Sequence, residues 1–179
     1  MGDWVAFLRG VNVGGITIRS APLREVFIGL GLDDARTVLA SGNVVFAPDG
    51  RAHAELKLAI ERALRAAFDY EAWIVLCTAG QVDAAARAFP FDASDAGRQP
   101  MVIFGSDGAV LEELAAAAAS MDSAIDPVRL VDGTLYWNPA KGESTSTPFA
   151  KLLAARRFKA STTSRNVRTL ERVLGVANS

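Results

Sequence analysis

Two hydrophobic periods take turns along this chain, and their order outlines a fold. Residues 4–8, Trp-Val-Ala-Phe-Leu, form an unbroken apolar run of strand length, closed by Arg9-Gly10. Leu23, Val26, Phe27 and Leu30 then recur at helical spacing, with Ser20 placed to cap, Pro22 in the first turn and Gly31 at the exit. Residues 36–40 and 44–47 read as two strands joined by the tight turn Ser41-Gly42-Asn43. A second helix is predicted over 51–68, with Leu56, Ile60, Ala63, Leu64 and Ala67 on its core face. Residues 71–77 supply a last strand. The order β-α-β-β-α-β is that of a ferredoxin-like unit.

The second half repeats the order. Thr78 and Gln81 form a capping box that opens a short helix, and Pro90 ends it. Residues 91–100, rich in Asp, Ser and Gly, read as a linker. A strand over 101–104 and an Ala-rich helix over 109–119 follow. Asp132-Gly133 is a strong hairpin signal between strands 128–131 and 134–137. Thr147-Pro148 starts another helix, 158–162 reads as an edge strand, and a final helix carries Val167, Leu170 and Leu174 inward. The expectation is an α+β protein of two tandem ferredoxin-like units with an additional C-terminal helix: residues 1–77, a connecting helix and linker over 78–100, and residues 101–179. Along the first strand both alternating faces are apolar, so the sheet face away from the helices should be covered, by the other half or by a second subunit.

Composition narrows the function classes. Among 179 residues the net charge is −1, which argues against bulk nucleic-acid or anionic-membrane binding. One cysteine excludes an intrachain disulfide, and one histidine leaves no His-rich metal centre, so no metal and no cofactor is expected. No apolar run approaches a membrane span, and the first residues do not read as a signal peptide; a cytoplasmic location is expected. His53 and Cys77 lack the neighbours that metal binding or nucleophilic catalysis would need.

Two features stand out as candidate chemistry. The loop Arg9-Gly10-Val11-Asn12-Val13-Gly14-Gly15 can expose backbone N–H groups. It lacks the lysine of a phosphate-binding NTPase loop, since Ile16-Thr17 follows, so an ATPase reading fails. In β-α-β-β-α-β order this loop and the turn at Ser41-Gly42-Asn43 share one end of the sheet, a donor-rich cluster suited to phosphate or carboxylate. Residues 151–172 hold seven basic side chains against Glu171 alone. Within them, Thr163-Ser164-Arg165-Asn166 reads as the opening of the last helix. Arg165 would then oppose the helix dipole unless an anion sat there. For Arg168 and Arg172 a solvated face is the simpler reading.

These blocks resemble a known family. Trp4 to Gly15, residues 37–46 ending in Ser-Gly-Asn-Val-Val-Phe, and Thr163 to Asn166 with Thr169 are similar to signature blocks of the bacterial domain-of-unknown-function family 1697. The resemblance implies two ferredoxin-like α+β units and brings no established activity, cofactor or catalytic residue. Val167-Arg168 and Ile16-Thr17 depart from the family pattern, whereas Arg9, Gly10, Asn12, Gly15, Ser41, Gly42, Asn43, Arg165 and Asn166 map onto it.

The leading expectation is a binding protein for a small anionic ligand. Arg9 and Arg165 would neutralise charge, Asn12, Asn43 and Asn166 would orient the ligand, Ser41 would add a hydroxyl, and Gly10, Gly14 and Gly15 would allow close approach. Three other readings stay open. One is an enzyme working through Arg and backbone electrostatics. Another is nucleic-acid binding through the basic segment. The last is a structural or dimerisation module, with a homodimer closing the apolar sheet face.

Overall fold

The computed structural model describes residues 2–11, 16–40 and 42–179, with the side chain of Lys159 left aside. The chain is a mixed α+β protein that divides into two compact units: residues 1–83 together with 171–179, and residues 84–170.

In the first unit, β1 (Trp4–Arg9), α1 (Ser20–Ile28), β2 (Arg36–Val38), β3 (Asn43–Phe46), α2 (His53–Phe68) and β4 (Trp73–Thr78) follow one another. The strands form an antiparallel sheet in the order β2-β3-β1-β4. Helix α2 forms because Leu56, Ile60 and Leu64 recur every four residues; all three are fully buried against Ala6, Leu8, Phe46 and Ile74. Burying each of these side chains stabilises the unit by roughly 1.5–3 kcal/mol. Glu61 sits inside this layer without being stranded, because its carboxylate accepts from Lys57 Nζ at 2.5 Å and from the backbone N–H of Ile74 at 3.0 Å. Val5, Phe7 and Val45, on the face away from the helices, are also fully buried. Arg36 fastens the end of the chain: its guanidinium donates to the carbonyl of Val176 at 2.7 Å and pairs with Asp3 at 2.5 Å.

The capping box opens α3 (Ala79–Arg87) as expected, with Gln81 Oε1 accepting from the Thr78 N–H at 2.8 Å and Thr78 Oγ1 accepting from the Gln81 N–H at 3.2 Å. The elements β5 (Met101–Gly105), α4 (Gly108–Ala118), β6 (Val128–Val131), β7 (Thr134–Trp137), α5 (Pro148–Leu153), α6 (Arg156–Lys159) and β8 (Thr162–Asn166) then build a second antiparallel sheet, in the order β6-β7-β5-β8. Asp107 caps α4 by accepting from the Val110 N–H, and Thr147 caps α5 by accepting from Ala150. Asp132 and Gly133, at φ 48° and 75°, make the hairpin turn that their sequence announces. A closing helix, α7 (Val167–Ala177), ends the chain.

Ser20 does not cap α1, since Arg19 holds the N-cap position with no side-chain cap bond, and a later element also differs from its expectation. The last strand is not 158–162 but Thr162–Asn166, and Phe158 belongs to α6, where it is buried in the second core. The strand carries Thr, Thr, Ser, Arg and Asn, so neither face shows the apolar alternation that marks a strand; its pairing with β5 defines it instead. Among the described residues no helix is long and apolar enough to cross a membrane.

Candidate functional site

The end of β1 and the β2–β3 turn meet, as topology requires. The Leu8 N–H donates to the Gly42 carbonyl at 2.8 Å. Gly42, at φ 70°, lies so close that a Cβ there would stand 2.5 Å from Val11 Cγ2 and 2.9 Å from Leu8 Cβ. Only glycine serves at that position. Gly10, at φ 77°, turns the chain out of β1. Asn43 is fully buried and its carboxamide donates to the Val38 carbonyl at 2.9 Å, which holds the turn shut from inside. By strand alternation Arg9 shares the face of Val5 and Phe7, and burial pushes its pKa below the ordinary guanidinium value; it stays protonated nonetheless. Asn12, Gly14, Gly15 and Ser41 lie outside the described residues.

Arg165 needs correcting. It sits on β8, opposite Val102 in the register, and not in the first turn of a helix. Its side chain is buried, with Nη1 donating to Thr163 Oγ1 at 2.7 Å and to the Ser164 carbonyl at 2.8 Å. The conflict with a helix dipole therefore does not arise for this residue. Asn166 is the true boundary: its Oδ1 accepts from the Arg168 N–H at 2.9 Å and caps α7, so Arg168 is the cation in the first turn.

Asn166 and Arg168 also line a surface cleft of about 490 Å³ within the second unit, together with Asp95, Arg98, Gln99 and Lys141. Backbone pairing builds its walls. Arg98 bridges Ala140, the Gln99 N–H donates to the Pro139 carbonyl at 2.9 Å, and the Lys141 N–H donates to the Gly97 carbonyl at 2.9 Å. The Val167 N–H donates to Pro100 at 3.0 Å and so fixes the entrance of α7 to the same wall. The segment that composition marks as a linker is thus laced to its neighbours before it enters β5. Arg98 Nη1 reaches the Asn138 carbonyl at 3.3 Å. Among the described residues none of Arg98, Lys141 and Arg168 makes an ion pair, and Asp95 accepts from the Gly97 N–H at 2.8 Å through one oxygen.

Of the residues singled out by sequence, the cleft contains Asn166 and, beside it, Arg168. Arg98 and Lys141 were missed. Their one signal is that each stands where a glycine- or proline-marked turn meets a strand or bridge, a place where side chains are free to point outward. The basic run over 151–172 does not form one continuous face. Arg157 pairs with Glu113 at 2.9 Å and stacks over the Phe158 ring, while Arg165 is buried.

No curated protein matches this chain. A solved structure of a conserved bacterial protein from Streptococcus pneumoniae is similar in fold, at a TM-score of 0.80 and 21% identity, over 100% of this chain and 99% of that one. The family described as "Protein of unknown function (DUF1697)" matches residues 1–136, which take in the blocks at 4–15 and 37–46. With three quarters of its length so matched, the chain belongs to that family of proteins of unknown function.

Proposed function

We propose that the protein binds a small anionic ligand, phosphate- or carboxylate-bearing, in the cleft between Arg98, Lys141 and Arg168, on two units of ferredoxin-like topology. The strand orders β2-β3-β1-β4 and β6-β7-β5-β8 support the topology, since each β-α-β crossover skips one strand. The binding reading rests on one observation. Three basic residues from three separate segments line one concavity, outnumber its single carboxylate, Asp95, and are in no ion pair among the described residues. Like charges held together raise the energy of the fold, and an anion from outside removes that penalty while gaining charge-assisted hydrogen bonds. The amide nitrogen of Asn166 adds a neutral donor at the same wall, because the cap engages only the oxygen.

Calorimetric titration with inorganic phosphate and with citrate tests the reading. Wild type should bind at least one of them, and Arg98→Ala or Arg168→Ala should each weaken binding by roughly 10- to 100-fold, the worth of one charge-assisted hydrogen bond. Absence of heat with both anions at millimolar concentration rejects it.

A further inference from the structure

Resting on that reading, we infer that the cleft takes a phosphomonoester of a hydroxyl-rich, non-aromatic body, a phosphorylated sugar or polyol, in preference to a nucleotide or a phosphorylated acid. Charge sets the first part. Arg98, Lys141 and Arg168 stand against the single carboxylate of Asp95, so the lining is net doubly positive and a doubly charged phosphomonoester balances it. A simple monocarboxylate would leave positive charge uncompensated.

The rest of the lining describes the body that carries the phosphate. Ala93, Ala96, Pro100 and Gly142 complete the wall, and no aromatic ring is among the lining residues, so a nucleobase would find no face to stack on. The polar groups still available suit hydroxyls. One Asp95 oxygen is engaged by the Gly97 N–H and the other is free to accept from a hydroxyl. The Gln99 carboxamide makes no hydrogen bond among the described residues and offers both a donor and an acceptor. The same Asp95 carboxylate repels a ligand that carries a carboxylate of its own, which separates sugar phosphates from phosphorylated acids. The cleft volume, about 490 Å³, lies within the range of small-ligand sites and is ample for a six-carbon sugar phosphate.

The test compares inorganic phosphate, glucose 6-phosphate, 3-phosphoglycerate and AMP by calorimetry on the full chain. Glucose 6-phosphate should bind at least roughly tenfold tighter than inorganic phosphate, and tighter than AMP or 3-phosphoglycerate. Asp95→Asn keeps an oxygen for the Gly97 N–H; it should reduce the sugar-phosphate preference, improve 3-phosphoglycerate binding, and leave inorganic phosphate bound as well or better. Gln99→Ala should reduce the preference without altering phosphate binding. If no probe binds, the anion reading itself falls. If phosphate binds but glucose 6-phosphate gains nothing over it, or AMP binds tightest, only the sugar-phosphate inference is overturned. A preference undiminished in Asp95→Asn likewise overturns it.

Discussion

Asp126 is the side chain on which the second core is most exposed to a single change. It is 2% exposed, and its two oxygens accept from Trp137 Nε1 at 2.8 Å and from the Phe149 N–H at 3.0 Å. One carboxylate therefore ties β7 to the start of α5, where the rings of Trp137 and Phe149 meet edge to face at 5.3 Å between centroids. Asp126→Ala leaves two buried donors without an acceptor. At about 1–3 kcal/mol for each, plus about 1 kcal/mol for the small void, the expected loss is about 3–7 kcal/mol. That is a large share of the roughly 5–15 kcal/mol by which domains are stable. Asp126→Asn keeps one acceptor but turns an NH₂ toward the other donor, so it should cost about 2–4 kcal/mol. Urea denaturation followed by tryptophan fluorescence reads both losses from the midpoint. A double-mutant cycle with Trp137→Phe isolates the indole bond. Because Phe removes the donor that Ala strands, the pair should be non-additive by about 1–3 kcal/mol. An Asp126→Ala protein within 1 kcal/mol of wild type, or an additive cycle, would refute the reasoning.

Two further outcomes are expected. Leu39 holds φ 59° and is 41% exposed, a left-handed conformation that strains a leucine by roughly 1–2 kcal/mol with little packing in return. Leu39→Gly should therefore raise stability by about 0.5–1 kcal/mol in chemical denaturation, and a clear loss would contradict the strain argument. Cys77 is 8% exposed, and burial pushes its thiol up to about 12 from an ordinary 9.0. The folded state thus holds this proton more tightly than the unfolded one. Its contribution is intact below pH 9 and lost as pH climbs toward 12, at up to about 1.4 kcal/mol per pH unit. Stability measured between pH 9 and 11 should fall less steeply in Cys77→Ala than in wild type, and the native thiol should resist a disulfide reagent at pH 8 that labels it at once in guanidinium.

Local chemistry made much of the fold legible. The capping box at Thr78 and Gln81, the Asp132-Gly133 turn, the Thr147-Pro148 helix start and the four-residue spacing of Leu56, Ile60 and Leu64 each involve residues within one or two turns of one another, and each appears in the structure. Strand β8 was not legible in the same way. Thr162 to Asn166 lack apolar alternation, and what makes them a strand is register against Met101–Gly105, a partner far away in sequence. The cleft was hidden for the same reason. Arg98 and Lys141 are brought together by the bridge between Arg98 and Ala140, which no local period announces. Asn43 shows the opposite error of local reading. Its residue type offers donors, but burial commits the carboxamide to Val38.

Burial also decides which cations can act on something outside the chain. Desolvating a guanidinium is costly, so a buried arginine has to find its acceptors in the protein; Arg165 does so at Thr163 and Ser164. Arg168, three residues on, is past the end of the strand, exposed and without an ion pair among the described residues, and it opens onto the cleft that Arg98 and Lys141 share. A basic residue at the surface is by itself unremarkable, because water solvates it well. Three of them facing one concavity differ, since each raises the cost of charging the other two and a single doubly charged ligand relieves all three at once. The positive charge of the 151–172 run therefore matters where it leaves that run and joins cations from other segments.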